Sequence, residues 1–124
     1  MIALLLISYL IVTVLAGAIA DGLNNGGSKK VGHVLEAAEV GLALAGATIF
    51  GVTGETLLPY LVGYIGLRIA FFDMAYNITR GLPVFFQGKS SYWDLFLSRY
   101  PVFGVMFARI IFLTLGVGVI IKFF

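Results

Sequence analysis

The sequence predicts an all-α membrane protein, with four transmembrane helices in a bundle and a short interfacial helix between spans three and four. Three observations predict it. Hydrophobic residues make up 60% of the 124-residue chain and charged residues only 11%, and the mean hydropathy is +1.06, too little polar surface to cover a soluble globule. The apolar residues fall into four long runs, and because each spanning helix needs about 20 of them, four spans consume most of the chain. The breaks between the runs carry Gly, Asn, Pro and many of the charges. Residues 1–124 therefore read as a single integral membrane domain whose first partner is the lipid bilayer.

Charge and cysteine content narrow the function classes. A net charge of +2 from eight basic and six acidic residues gives no reason to expect nucleic acid as a partner. The absence of Cys excludes disulfides, thiolate metal sites and Cys nucleophiles.

Residues 2–20, IALLLISYLIVTVLAGAIA, form the first span. Ala18 and Ala20 make an A-x-A pattern, but no basic segment precedes the run, so it reads as a retained helix and not a cleaved signal. The stretch DGLNNGGSKK, 21–30, is a polar turn in which Ser28 is placed to cap the next helix.

The second span covers 29–52. Ala37, Gly41 and Ala45 recur every four residues, with Ala43, Ala47 and Gly51 as a second row, the pattern that lets helices approach closely in lipid. These small-residue faces make a homo-oligomer through helix two an expected partnership. The third span covers 56–80, with Pro59 in its first turn, Gly81 as C-cap and Pro83 behind it. Arg68 lies roughly 140° round this helix from Asp73, so its counter-charge must come from another helix.

Between spans three and four the pattern changes to aromatics mixed with charges. Ser91 and Asp94 match a capping box, and Trp93, Phe96, Leu97 and Tyr100 repeat at helical spacing, which predicts an interfacial helix over 91–100. Pro101 opens the last span, 101–122, which carries Arg109 and ends at Lys122.

In a four-span chain the turn at 21–30 and the segment at 81–100 share one side and hold Lys29, Lys30, Arg80, Lys89 and Arg99. The positive-inside rule puts that side in the cytoplasm and both termini outside. At a rise of about 1.5 Å per residue, Asp21, His33, Glu36, Glu39, Asp73, Asn77, Arg80 and Arg109 then fall in the cytoplasmic half of the bundle. His33, Glu36 and Glu39 share a helix face, and ionised groups at such depth are best explained as paired inside the bundle. We expect Arg109 to pair with at least one of Glu36, Glu39 and Asp73, because a guanidinium does not shed its charge.

Four purposes for this polar layer stay open. Ion pairs hold the helices in register, making the protein a non-enzymatic structural or accessory component. A divalent metal is bound by His33, Glu36, Glu39 and Asp73, an imidazole and carboxylate donor set. A lipid or phosphate head group is held by Lys29, Lys30 and Arg80, as in a small membrane-embedded enzyme, metal-assisted or using His33 as base. An ion or proton path runs through Glu36, Glu39, Asp73 and Arg109. The sequence identifies no catalytic residue. It contains no G-x-S-x-G, no H-E-x-x-H and no Gly-Asp dyad motif of the intramembrane proteases. The sequon Asn77-Ile78-Thr79 lies on the expected cytoplasmic side and reads as chance. The Phe and Tyr residues read as lipid-facing and belt residues.

The segments ADGLNNGG, GHVLEA and FFDMAYNITRGLPVFFQGKSSYWD resemble small multi-span membrane proteins of Bacteroidetes and their phages. The resemblance implies a bacterial or phage origin, hence a bacterial inner membrane, and marks Asp21, His33, Glu36, Asp73, Asn77 and Arg80 for testing. It implies no particular activity or cofactor.

Overall fold

The computed structural model describes residues 1–24, 27–86, 95–96 and 98–124. Among them the chain is all-helical: α1 (Ile2–Asn24), α2 (Lys29–Ile49), α3 (Gly54–Thr79) and α4 (Val102–Phe123). Three of these, α1, α3 and α4, are long and apolar enough to cross a membrane. The second helix falls short of that standard by composition, since Lys29, Lys30, His33, Glu36 and Glu39 all lie in its first half.

The helix ends follow local chemistry. The first helix runs on through Asp21–Asn24, where a polar turn was expected. Gly22 explains part of this extension: it is buried against α3, and a Cβ there would lie 2.8 Å from the Thr79 side chain. Ser28 occupies the N-cap of α2 with extended backbone, but its side chain makes no capping bond. α2 stops at Ile49, short of the expected 52, because Gly51 takes φ +66°; its N–H reaches Thr48 O at 3.2 Å and Val52 N–H reaches Ala47 O at 2.8 Å, a Schellman end. Gly81, at φ +69°, closes α3 in the same way, with Leu82 N–H on Asn77 O at 2.9 Å.

α3 begins two residues before the expected start. Thr53 and Thr56 form a reciprocal capping box, which moves Pro59 from the first turn to the second. Of the expected interfacial helix over 91–100, Ser91–Asp94 and Leu97 lie outside the described residues. Leu95 and Phe96 are helical, and the chain from Ser98 to Tyr100 turns.

α3 is the hub. It packs along both α4 and α1, whereas α2 lies against α1 and only brushes α3. The order of neighbours is thus α2, α1, α3, α4. Leu6, Leu10, Tyr60, Leu67 and Ile120 make the central core. The α3–α4 seam is close because glycines face glycines: a Cβ on Gly66 would lie 2.6 Å from Phe112 O and 3.0 Å from Gly116 Cα, an approach only small residues permit.

The outside is apolar. Leu4, Leu5, Val12, Phe103, Phe107 and Leu115 are all more than half exposed. The accessible surface, 7767 Å², exceeds the about 6,500 Å² expected of a soluble monomer of this mass. Helices packed over part of their circumference, with apolar residues outward, are the arrangement that lipid stabilises and water does not.

Candidate functional site

Polar side chains gather on the two opposite faces of α3. On the face toward α2, Glu39 is 1% exposed in its side chain and lies 3.0 Å from Arg68 Nε. Its Oε1 also accepts the Tyr64 hydroxyl at 2.7 Å. The carboxylate fits because α1 presents Gly17 there: a Cβ at that position would lie 2.6 Å from Glu39 Oε2. An ion pair, a phenol and a notch in a third helix therefore meet at one carboxylate.

Arg68 continues into a ladder along α3. Its guanidinium stands 4.2 Å over the Phe72 ring, Phe72 stacks with Tyr76 at 6.3 Å, and Arg80 lies 5.2 Å over Tyr76. Tyr64, Arg68, Phe72, Tyr76 and Arg80 follow i, i+4 spacing, which puts them on one helix stripe. Asp21 of α1 is half-buried beside it, within electrostatic reach of Glu36, Arg68, Glu39 and Arg80, and faces Gly32 in the first turns of α2. Lys29 and Lys30 are exposed at the start of α2.

On the opposite face of α3, Asp73 Oδ2 accepts Arg109 Nη2 of α4 at 3.1 Å. Arg109 is 10% exposed and Asp73 34%. Of the three carboxylates weighed as partners for Arg109, Asp73 takes the position; Glu39 is held by Arg68. The separation of Arg68 and Asp73 round α3 explains the division, since each side chain reaches a different neighbouring helix.

The other sequence candidates lie apart from these pairs. His33 Nδ1 and Glu36 Oε2 are 3.6 Å apart, but their side chains are 79% and 59% exposed on the outer face of α2. Of the proposed metal donors His33, Glu36, Glu39 and Asp73, the first two thus form an open pair and the last two are each bound to a different arginine. Among the described residues no three His, Asp or Glu side chains are grouped as a metal ion needs. Buried Asn77 donates to Val84 O at 3.0 Å and Phe86 O at 2.9 Å, so it fastens the chain that leaves α3. The Ala37, Gly41 and Ala45 row is exposed, whereas Ala43 and Gly46 of α2 are buried.

Sequence reasoning missed the tyrosines. Tyr9 donates to Leu42 O at 2.7 Å, Tyr60 donates to Ala43 O, and Tyr64 serves Glu39, so three residues read as lipid-facing tie α1 and α3 to α2. Gly46 admits the first two, since a Cβ there would run into the Tyr9 ring and lie 2.9 Å from the Tyr60 hydroxyl. The visible signal was Tyr60, Tyr64 and Arg68 at four-residue spacing opposite a helix rich in Gly and Ala.

Within this geometry, and among the described residues, the chain is all-helical, with three helices of membrane-spanning length and two interhelical ion pairs that share α3. Comparison with family models, curated proteins and solved structures finds no match to it.

Proposed function

We propose that the protein is integral to a membrane, with all four helices crossing it, and serves as a non-enzymatic structural or accessory component whose charged residues fix helix packing. The observation that carries this reading is the pair of contacts on α3: Glu39 to Arg68 at 3.0 Å and Asp73 to Arg109 at 3.1 Å. Each joins α3 to a different helix, and together they occupy both carboxylates that lie deep in the spans. A charge held by its counter-charge and a hydrogen bond is positioned for packing. A general base or a metal ligand needs a lone pair directed at a substrate or an ion.

The less apolar α2 crosses the bilayer by the same device. Glu39 is neutralised by Arg68 and lies against Gly17, while Tyr9 and Tyr60 engage its backbone. Both termini lie outside the cytoplasm of a bacterial cell, with Lys29, Lys30, Arg80 and Arg99 inside.

Two experiments test the reading. Glu39→Gln and Asp73→Asn should each lower the unfolding midpoint of the purified protein in detergent micelles; variants with wild-type midpoints would assign the carboxylates a task other than holding the fold. A reporter fused after Phe124 should be active only outside the cytoplasm, and cytoplasmic activity would overturn the four-span topology.

The ladder favours a second reading. Arg80 ends this stripe of α3, Lys29 and Lys30 are exposed at the start of α2, and basic groups at the ends of spans suit an anionic lipid head group at the membrane surface. Binding to vesicles containing phosphatidylglycerol that is lost in Arg80→Gln with Lys29→Gln would support it. Equal binding by the variant would remove it.

A further inference from the structure

We propose that the cleft between α3 and α4 beside Arg109 is a phospholipid site, in which one acyl chain fills the cleft and the ester carbonyl at its head accepts an N–H of Arg109. The inference rests on the membrane placement given above. Ala70, Phe71 and Met74 of α3 and Met106, Arg109 and Leu113 of α4 line a cleft of about 210 Å³. Apolar cavities of about 150 Å³ hold one benzene, and sites for drug-sized ligands begin near about 300 Å³. The space therefore suits a single hydrocarbon chain.

Arg109 is the polar member of this lining, and its hydrogen bonding is incomplete. Nη2 is given to Asp73, but Nη1 is buried with no partner among the described residues. Native structures seldom leave a buried charged donor unmatched. The missing group is an acceptor.

The charge balance selects its kind. Asp73 already neutralises Arg109, so a carboxylate or phosphate would leave net negative charge in a medium of low dielectric, whereas an ester carbonyl adds none. The depth agrees. The Arg109 Cα is about 10 Å along α4 from Val102, and helical side chains lean toward the N-terminus, which brings the guanidinium nearer the edge of the hydrocarbon layer. Nη1 is not open to water, so engagement requires the cleft wall to give way, and the wall includes the unbranched and adaptable Met74 and Met106.

Photo-crosslinking tests this with the full chain reconstituted in phosphatidylcholine vesicles that contain a phosphatidylcholine bearing a mid-chain diazirine. Adducts should concentrate on Met74 and Met106, and diester phosphatidylcholine should compete about tenfold better than its ether-linked analogue, which lacks the carbonyl. Arg109→Gln should abolish that preference. Met106→Trp, which fills the cleft and keeps Arg109, should remove the Met74 adducts and spare those on Leu4 and Val12 of α1. Equal competition by diester and diether lipid, stronger competition by free fatty acid, or labelling of the cleft no heavier than that of Leu4 and Val12 would overturn the proposal. Labelling at none of these positions would overturn the membrane placement with it.

Discussion

Glu39 of α2 and Arg68 of α3 meet at 3.0 Å across a gap that their helices otherwise scarcely close. The contact spans the groove above α1, and Gly17 at its floor makes room for the carboxylate. The most peripheral helix is thus joined to the hub by a charge pair and by tyrosine hydroxyls, and hardly by apolar packing between the two.

Removing the carboxylate should loosen α2. Glu39→Leu strands Arg68 and the Tyr64 hydroxyl, and breaking a fully buried pair costs about 3 to 5 kcal/mol. Arg68 remains 39% exposed in its side chain, so part of its charge is relieved by its surroundings and we expect about 2 to 3 kcal/mol. Glu39→Gln should cost less, because the amide oxygen still accepts from Tyr64. Equilibrium unfolding in mixed micelles measures both, and a Gln variant less stable than the Leu variant would contradict this ordering.

Gly17→Ala should be costly only while Glu39 is present. The added methyl would lie 2.6 Å from Oε2 and 2.9 Å from Cδ, an overlap of the kind that costs about 1 to 3 kcal/mol in a packed interior. In a Glu39→Ala background the same change should be close to neutral. Equal effects in the two backgrounds would mean that the glycine serves some contact other than the carboxylate.

Arg109→Leu leaves Asp73 without its counter-charge; because Asp73 is 34% exposed in its side chain, we expect a loss of about 2 to 3 kcal/mol, below the about 3 to 5 kcal/mol of a fully buried pair. Asp73→Asn in the Arg109→Leu protein should restore part of the loss. A double-mutant cycle reads the coupling directly, and additive effects would show that the 3.1 Å contact contributes nothing of its own.

Gly66→Ala should separate α3 from α4. Its Cβ would press on the Phe112 carbonyl and the Gly116 Cα, which are backbone atoms with no rotamer in which to retreat, so a loss of about 2 kcal/mol or more is expected. Gly118→Ala, where nothing lies within 4 Å, is the matched control. It should be neutral or slightly stabilising, as Ala is the better helix former.

The sequence by itself determined what depends on neighbouring residues along the chain. Apolar runs gave four helices near their observed limits, Gly81 with Pro83 marked the end of α3, and the angle between Arg68 and Asp73 required the arginine to find its partner on another helix. Where local reading failed, a second local or packing term intervened. Gly51 in the left-handed region ended α2 early, Thr53 with Thr56 began α3 early, and Gly22 packed on α3 let α1 continue past Asp21.

Only the tertiary structure decided which carboxylate meets which arginine. Similar depth along three helices places Glu39, Asp73 and Arg109 in one half of the molecule, but depth is a coordinate along the helix axis. Pairing also depends on the order of the helices and on their rotation about those axes. With α2 and α4 on opposite sides of α1 and α3, the polar residues divide into one pair on each face of α3. His33 and Glu36 turn outward. That order is set by long-range fits such as Gly66 against Gly116, Gly46 beneath Tyr9 and Gly17 beneath Glu39, in which the informative feature is a missing side chain on one helix matched to a large one, or to another glycine, on the next.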